Sequence, residues 1–395
     1  MTGLEQAVAG MDINKSDNID AVEQKITPWE VEGAVVDGEQ MAVDYEKLTK
    51  NFGTKLIDPA LLERFEKLTG HKPHMFLRRG IFFSHRDLEV ILDRYEQKKP
   101  FYLYTGRGPS KGRMHLGHML PFVFTKWLQD VFDVPLVIQL TAAIGYKPEK
   151  TLIFSDLDFM GGQFYRNIVK ISKSITGSTA KAAFGFTDTD CVGKVFYPCI
   201  QIAPAFSTSF PGIFGENSKP IPCLIPCGID QDPYFRLTRD IALKLKHPKP
   251  SLIHSIFLPA LQGPNSKMSS SIDASAIFTS DTAAQVKNKI NRNAFSGGRE
   301  TLELHKKYGG NPDVDVPYQY LRYFSDDDEL LDDLAAKYRS GELLSSEMKQ
   351  HCIKAIQDFL AEFQANEKAV TDEMVKNFMD PYYPRKFDIL QPSSK

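Results

Sequence analysis

The chain lacks most of the features that would mark it as secreted, metal-built or membrane-bound. It has only five cysteines in 395 residues, an odd number, and Cys191, Cys199, Cys223, Cys227 and Cys352 show no paired metal-type spacing with histidines. Neither a disulfide framework nor a metal site is therefore expected. Cys223 and Cys227 sit in the apolar run Ile221 to Ile229 and read as small buried thiols. No apolar run reaches the roughly 18 residues of a membrane span, so no membrane association is expected. Residues 1–25 are polar and acidic, unlike a signal or transit peptide, which makes the cytosol the expected compartment. An excess of one charge is missing too. Lys+Arg 48 against Asp+Glu 50 leave a net charge of -2, so any contact with nucleic acid must rest on a local basic patch. Fixed-period repeats and low-complexity tracts are likewise absent.

What is present suffices for a large core, since 42% of the residues are hydrophobic and the length suits two or three domains. Residues 1–25 carry few large apolar side chains and read as a disordered tail, and 388–395 read as a second tail. Residues 26–99 read as an N-terminal extension that packs on the domain beginning at Pro100. There Asp58-Pro59 caps a helix bearing Leu61, Leu62, Phe65 and Leu68 that ends at Gly70. A second helix is expected to start at Ser84, with Asp87 three residues on and Leu88, Ile91, Leu92 and Tyr95 on one face. From Pro100 the text changes to short apolar runs alternating with helical patterns, the mark of a parallel sheet with crossover helices. Phe101–Thr105, Val134–Leu140, Leu152–Ser155, Ala182–Gly185 and Cys223–Cys227 are the expected strands. Ligands on such sheets bind at the carboxyl ends of strands, which singles out Gly106–Gly108, Asp188 and Gly228–Gln231. From about Thr282 the pattern is helical. Met348, Cys352, Ile353, Ile356, Leu360 and Phe363 form one apolar face, and Val370, Met374, Val375 and Phe378 another.

Two stretches about 150 residues apart carry the chemistry: Gly108-Pro109-Ser110-Lys111-Gly112-Arg113-Met114-His115-Leu116-Gly117-His118 and Lys267-Met268-Ser269-Ser270-Ser271. The first links a strand through a Gly-rich turn to a helix start, where free backbone N–H groups and the helix dipole favour phosphate. Two histidines three apart share a helical face and can both reach one phosphate, although a lone His-x-x-His is more often structural. Gly117 between them has no side chain, so a flat purine could approach the backbone there. The second stretch puts a lysine on a small, hydroxyl-rich loop, able to neutralise charge as pyrophosphate departs.

His-Leu-Gly-His and Lys-Met-Ser-Ser-Ser resemble the paired signatures of the class I aminoacyl-tRNA synthetases. Leu103-Tyr104-Thr105-Gly106-Arg107-Gly108-Pro109-Ser110, Phe184-Gly185-Phe186-Thr187-Asp188, Ile229-Asp230-Gln231-Asp232-Pro233-Tyr234-Phe235-Arg236 and Ala294-Phe295-Ser296-Gly297-Gly298-Arg299 narrow the resemblance to the eukaryotic cytoplasmic tryptophanyl branch. The similarity runs from about Pro28 to about Phe387. It implies an α/β fold with a Rossmann-type parallel-sheet catalytic domain over 100–281 and a helical anticodon-binding domain over 282–387. It also implies ATP and Mg2+ as cofactors, L-tryptophan and tRNA(Trp) as partners, and a homodimer.

Carried onto this sequence, the resemblance makes His115, His118, Lys267 and Ser269 catalytic. ATP would meet Gly106, Arg107, Gly108, Pro109, Ser110, Gly117, Met268, Ser270 and Ser271. A second signature lysine is replaced at Ser270, which leaves Lys267 the main cationic role. Tyr104 and Gln139 match the positions that read the indole ring, and Gln201 and Gln231 those near the substrate's amino and carboxylate groups; a buried amide satisfied by backbone is the alternative for both. Arg299 is the residue named for tRNA, within a basic run that also holds Lys287, Lys289, Arg292, His305, Lys306 and Lys307. Arg78 and Arg79 are expected either to border the ATP or acceptor-stem site or to lie on the surface.

One departure stands out. Only Thr141 to Lys150 separate two expected strands, where a parallel crossover normally needs a dozen residues or more. Relatives implied by the resemblance carry several tens more residues there, including an Asp-Asp-Glu-Lys segment whose carboxylate meets the substrate ammonium. The expectation is that the strands pair differently or that one leaves the sheet, with activity weakened. A tyrosyl-tRNA synthetase, or a catalytically impaired isoform acting as a binding or signalling protein, are the competing readings.

Overall fold

A computed structural model describes residues 23–26, 31–36, 39–107, 113–139, 145–268, 272–387 and 389. The expected first tail falls largely outside the described residues, but its last three positions do not, and Lys25 and Ile26 pair with Val31–Glu32 in a two-stranded ribbon. The 388–395 tail lies outside them except for Ile389.

Ahead of Pro100 the chain forms α1 (Tyr45–Phe52), β1 (Lys55–Leu56), α2 (Pro59–Thr69), β2 (Phe82–Arg86) and α3 (Leu88–Glu96). Local chemistry sets the ends of α2 as expected. Asp58 accepts from the Leu61 N–H at 2.8 Å, Pro59 needs no hydrogen-bond partner, and Gly70 closes the helix at φ 72°. The helix expected from Ser84 begins four residues later, because Phe82–Arg86 is a strand. The Ser84 hydroxyl is 3.1 Å from His254 Nδ1 rather than capping a helix, and Asp87 turns the chain at φ 54°.

Next come β3 (Tyr102–Gly106), α4 (Leu116–Phe132), β4 (Leu136–Gln139), β5 (Thr151–Phe154), α5 (Gly162–Ser172), α6 (Gly177–Phe184), α7 (Val192–Ile202), β6 (Cys223–Gly228), α8 (Asp232–Ala242), β7 (Ser251–Ser255), and the hairpin β8 (Pro259–Ala260) and β9 (Gly263–Lys267). Seven strands make one sheet in the order β1-β2-β7-β6-β3-β4-β5. The five from β7 to β5 run parallel, while β1 and β2 add antiparallel edges. The stretch before Pro100 is thus hydrogen-bonded into the same sheet. Successive strand residues face opposite layers: Leu103, Leu136, Ile138 and Ile153 join α2, α3 and α4, whereas Tyr102, Tyr104, Val137 and Leu152 join α5, α7 and α8.

Two expectations fail here. Ala182–Gly185 is not a strand but the end of α6, capped by Thr176 accepting from the Thr179 N–H at 3.2 Å and closed by Gly185 at φ 67°. A short apolar run cannot by itself distinguish strand from helix, and the caps decide. Asp188 therefore follows no strand; it is exposed and ion-paired to Lys181, away from any ligand crevice. The short link after β4 also does not displace a strand. β4 and β5 pair in parallel, Leu136 with Thr151 through Gln139 with Phe154. A four-residue strand is only about 13 Å long, whereas 11 residues of extended chain reach up to ~36 Å, enough to return without a helix. Leu140 and Thr141–Ile144 lie outside the described residues, but α4 holds the far end of the link: the Tyr146 hydroxyl donates to Phe122 O at 2.7 Å and Gln129 Nε2 to Lys150 O at 2.9 Å.

The remainder is helical: α9 (Ala283–Asn293), α10 (Leu302–Tyr308), α11 (Val316–Phe324), α12 (Asp328–Ser340), α13 (Ser345–Ala369) and α14 (Asp372–Met379). Thr282 and Gln285 cap α9 reciprocally. The expected face of α13, Met348 through Phe363, is buried. In α14, Phe378 is buried while Val375 stays exposed. Arg78 and Arg79 lie where the sheet meets the helical region. Both pair with Asp328 at the start of α12, and Arg79 also donates to Arg322 O and Ser325 O at 2.8 and 2.6 Å, fastening the helical region to the sheet.

Candidate active site

β3 and β6 are neighbours, yet β3 leads through α4 to β4 on one side while β6 leads through α8 to β7 on the other. At such a reversal the connections diverge and leave a crevice beyond the carboxyl ends of the strands. A cavity of about 310 Å³ opens there, between Tyr104–Arg107 at the end of β3, Ile225–Gly228 at the end of β6 and the start of α4. That volume falls within the range of small-molecule sites.

The α4 end of the cavity holds both expected histidines. His115 is the cap residue of α4 rather than part of its helical face, and its N–H donates to His118 Nδ1 at 3.3 Å. Their rings stack with centroids 3.4 Å apart. The backbone here is fixed from the far side of the second signature: His115 bridges Phe278, Leu116 N–H donates to Ile277 O at 3.0 Å and Thr279 N–H to Met114 O at 2.9 Å. Two stretches about 150 residues apart are thereby joined. Lys267 ends β9 opposite Pro259, and Met268 is a buried wall of the cavity. Gly108, Pro109, Ser110, Ser269, Ser270 and Ser271 lie outside the described residues.

A Cβ at Gly117 would stand 3.2 Å from the His115 ring. Gly117→Ala is therefore expected to push that ring and fill cavity space, raising about tenfold the KM for ATP, the ligand that the sequence resemblance implies here. An unchanged KM would show that no ligand approaches this backbone.

At the opposite end the four expected substrate residues form one polar chain. The Tyr104 hydroxyl donates to Gln201 O at 3.1 Å and lies 3.5 Å from Gln139 Oε1, and Gln201 Nε2 donates to Gln231 Oε1 at 2.8 Å. Gln139 Nε2 donates to Asp156 Oδ2 at 2.5 Å. Gly106 is required by closeness rather than by its turn, because a Cβ there would stand 2.7 Å from Gln139 Cβ. Arg107 lines the cavity, and burial lowers its affinity for its proton. Three lining or neighbouring groups escape the sequence reading. Tyr197 is one, its hydroxyl pushed up to about 12 by burial and by the charge of Asp156. Phe257 is another, its N–H bound by Tyr45 of α1 at 3.0 Å. The third is Asp156, whose carboxyl burial raises against the opposing hydrogen bond from Gln139. Its place two residues past the end of β5 was the available signal.

Cys227 lines the cavity wall, and with Cys199, Cys223 and Cys352 it is buried, which pushes the Cys199 thiol up to about 11 and Cys223 up to about 12. These are poor nucleophiles. In the basic run, His305 is buried with Nε2 2.9 Å from Leu343 O, and Lys289 pairs with Asp281 at 2.8 Å, so neither faces a nucleic acid. Arg299 is exposed and spends one N–H on Gly309 O at 3.0 Å, while Lys287, Arg292, Lys306 and Lys307 are also exposed.

Residues 192–361 match the family model of class I tRNA synthetases for W and Y. A cytoplasmic tryptophan–tRNA ligase of Schizosaccharomyces pombe is 57% identical over 385 residues, covering 91% of this chain and 97% of that protein. The human cytoplasmic tryptophan–tRNA ligase is 52% identical over 393 residues, covering 92% and 82%. Among solved structures, the tryptophanyl-tRNA synthetase of Plasmodium falciparum superimposes with a TM-score of 0.81 at 45% identity, covering 88% of this chain and 99% of that one. An alignment of 385 positions that takes in only 91% of 395 residues contains positions filled in the yeast protein and empty here.

Proposed function

The chain belongs to the cytoplasmic tryptophan–tRNA ligases of class I, and on that premise we propose how its residues divide the work. The family uses ATP, tryptophan and tRNA, and the cytoplasm follows from the same kinship. The tryptophan carboxylate attacks the α-phosphorus of ATP, the bond to pyrophosphate breaks, and tryptophanyl-adenylate remains. A terminal ribose hydroxyl of tRNA(Trp) then attacks the acyl carbon and AMP leaves. No side-chain nucleophile is consumed, so catalysis is positioning plus charge stabilisation.

The observation that carries this reading is the cavity itself, with histidines and a glycine at a helix N-terminus at one end and a Tyr–Gln–Gln–Gln chain at the other. His115 and His118 would hold phosphate together with Gly106–Ser110, and Gly117 would face the adenine. Lys267, Ser269, Ser270 and Ser271, flanking the buried Met268, would meet the departing pyrophosphate. Tyr104 and Gln139 would read the indole ring, and Gln201 and Gln231 the amino and carboxylate groups. ATP would arrive as its magnesium complex, the ion carried by the phosphates; among the described residues no three His, Cys, Asp or Glu gather around a cation site. Residues 26–99, 100–281 and 282–387 would act as extension, catalytic domain and anticodon-binding domain, with Arg299 on tRNA.

A homodimer is supported by apolar side chains exposed on the packed helices α5 and α7 and the turn before α5, where Leu157 is 91% and Val192 84% exposed and Tyr165 and Phe196 are exposed too.

Tryptophan-dependent pyrophosphate exchange, with tyrosine as control, tests the assignment. Lys267→Ala should lower the exchange rate about 10²–10³-fold with tryptophan affinity nearly unchanged, since its charge matters most as pyrophosphate leaves. Equal losses in rate and binding would remove Lys267 from that role.

A further inference from the structure

The amide of Gln139 has two chemically different ends, and its orientation decides what the cavity offers to a substrate ring. Nε2 lies 2.5 Å from Asp156 Oδ2. An amide oxygen could not occupy that place, because two oxygens with no hydrogen between them repel. Oε1 is therefore the end turned toward Tyr104, 3.5 Å from its hydroxyl and 3.1 Å from where a Gly106 Cβ would stand. The Tyr104 hydroxyl directs its single proton to Gln201 O at the shorter distance of 3.1 Å. Both groups are thus left presenting oxygen lone pairs toward the same space.

Asp156 has little else to do. The hydrogen bond to Gln139 is its only side-chain hydrogen bond among the described residues, and Oδ1 has no partner there. It opens the single helical turn Asp156–Phe159, two residues beyond Phe154, which pairs in register with Gln139. Strand pairing thus brings the carboxylate beside the amide.

We propose that Asp156 is a positioning residue for specificity: it holds the Gln139 amide with its donor end turned away, so that Gln139 and Tyr104 together present acceptors at this corner of the cavity and select a ring that carries an N–H. This rests on the ligase reading above. The acceptors would otherwise be free to interchange, since an untethered glutamine can present either end. A site whose buried polar groups match a donor also rejects rings lacking it more strongly than an apolar slot can.

The test compares binding of tryptophan and of its benzothiophene analogue, in which sulfur replaces the ring N–H, by calorimetry on the full chain. Asp156→Asn keeps shape but offers both a donor and an acceptor, so Gln139 can turn over. The preference for tryptophan should fall about tenfold, the worth of one hydrogen bond. Exchanging the pair, Gln139→Glu with Asp156→Asn, leaves only oxygen facing the ring and should restore the preference to within about threefold of native. An unchanged preference in Asp156→Asn, equal weakening of both ligands, or no recovery in the exchanged pair would overturn the proposal. Loss of folding in Asp156→Asn would do so too, by assigning Asp156 a structural role. If the native chain binds neither ligand, the ligase reading fails and takes this inference with it; if native discriminates and Asp156→Asn discriminates equally, the inference alone fails.

Discussion

Replacing Asp232 with alanine is expected to destabilise the chain by about 3–5 kcal/mol, because it strands two buried basic groups. The Asp232 carboxylate accepts from Arg86 Nε at 2.7 Å and Nη2 at 2.8 Å, and lies 3.1 Å from His254 Nε2. Its side chain is 1% exposed and that of Arg86 12%. Arg86 also donates to Phe52 O and Gly53 O at the end of α1, at 2.5 and 3.1 Å. One ion pair thus ties the N-terminal extension to the first turn of α8, directly after Gln231. Burial pushes the Asp232 carboxyl up, but the two hydrogen bonds and the charge of Arg86, with the His254 ring beside it, outweigh burial and hold the group well below the usual carboxylate range. A depressed carboxyl contributes stability at pH values above the unfolded value, about 3.9, and loses it as pH falls through the folded value. The stability gap between native and Asp232→Ala should therefore be constant at neutral pH and shrink below about pH 4. Thermal melting across pH checks this. A gap under ~1 kcal/mol at pH 7, or one that widens in acid, would refute it.

Inserting a helical segment of the family's type between Thr141 and Ala142, with its acidic residues, is expected to raise tryptophan-dependent pyrophosphate exchange by about 30- to 100-fold. That range corresponds to about 2–2.8 kcal/mol, within what a hydrogen bond to a charged group contributes, the group being by resemblance the substrate ammonium. The motive is twofold: the alignment leaves yeast residues without counterparts, and the link between β4 and β5 is only 140–150. Because those strands already pair in register, the melting temperature should shift by only a few degrees. Exchange that stays flat after insertion, or a native chain already as fast as its relatives, would show the segment to be dispensable.

Much of the site was legible because its signals are local. A Gly-rich turn ahead of His115-Leu-Gly-His118, a Lys267-Met-Ser tract, the Asp58–Gly70 and Thr282 helix boundaries and the apolar face of α13 are each set by residues within a turn or two of one another. Cavity-lining Tyr104, Gln139, Gln201 and Gln231 were reachable through the resemblance, helped for Tyr104 and Gln139 by their places near strand ends and for Gln231 by its place just past one. Other features depend on partners far along the chain. The Ser84–Arg86 stretch is strand rather than helix because β7 hydrogen-bonds to it, 170 residues away in the case of Ser84 and His254. Arg78 and Arg79 clasp α12 because Asp328 is brought to them, and Asp156 meets Gln139 because two strands pair across a shortened link. Sequence alone determined which segments are the candidates to carry the chemistry, since caps, glycines and periodicity act over a few residues. Only the tertiary structure decided which polar groups face each other in the cavity, since a hydrogen bond between distant residues depends on the packing of the whole sheet and leaves no local pattern to read.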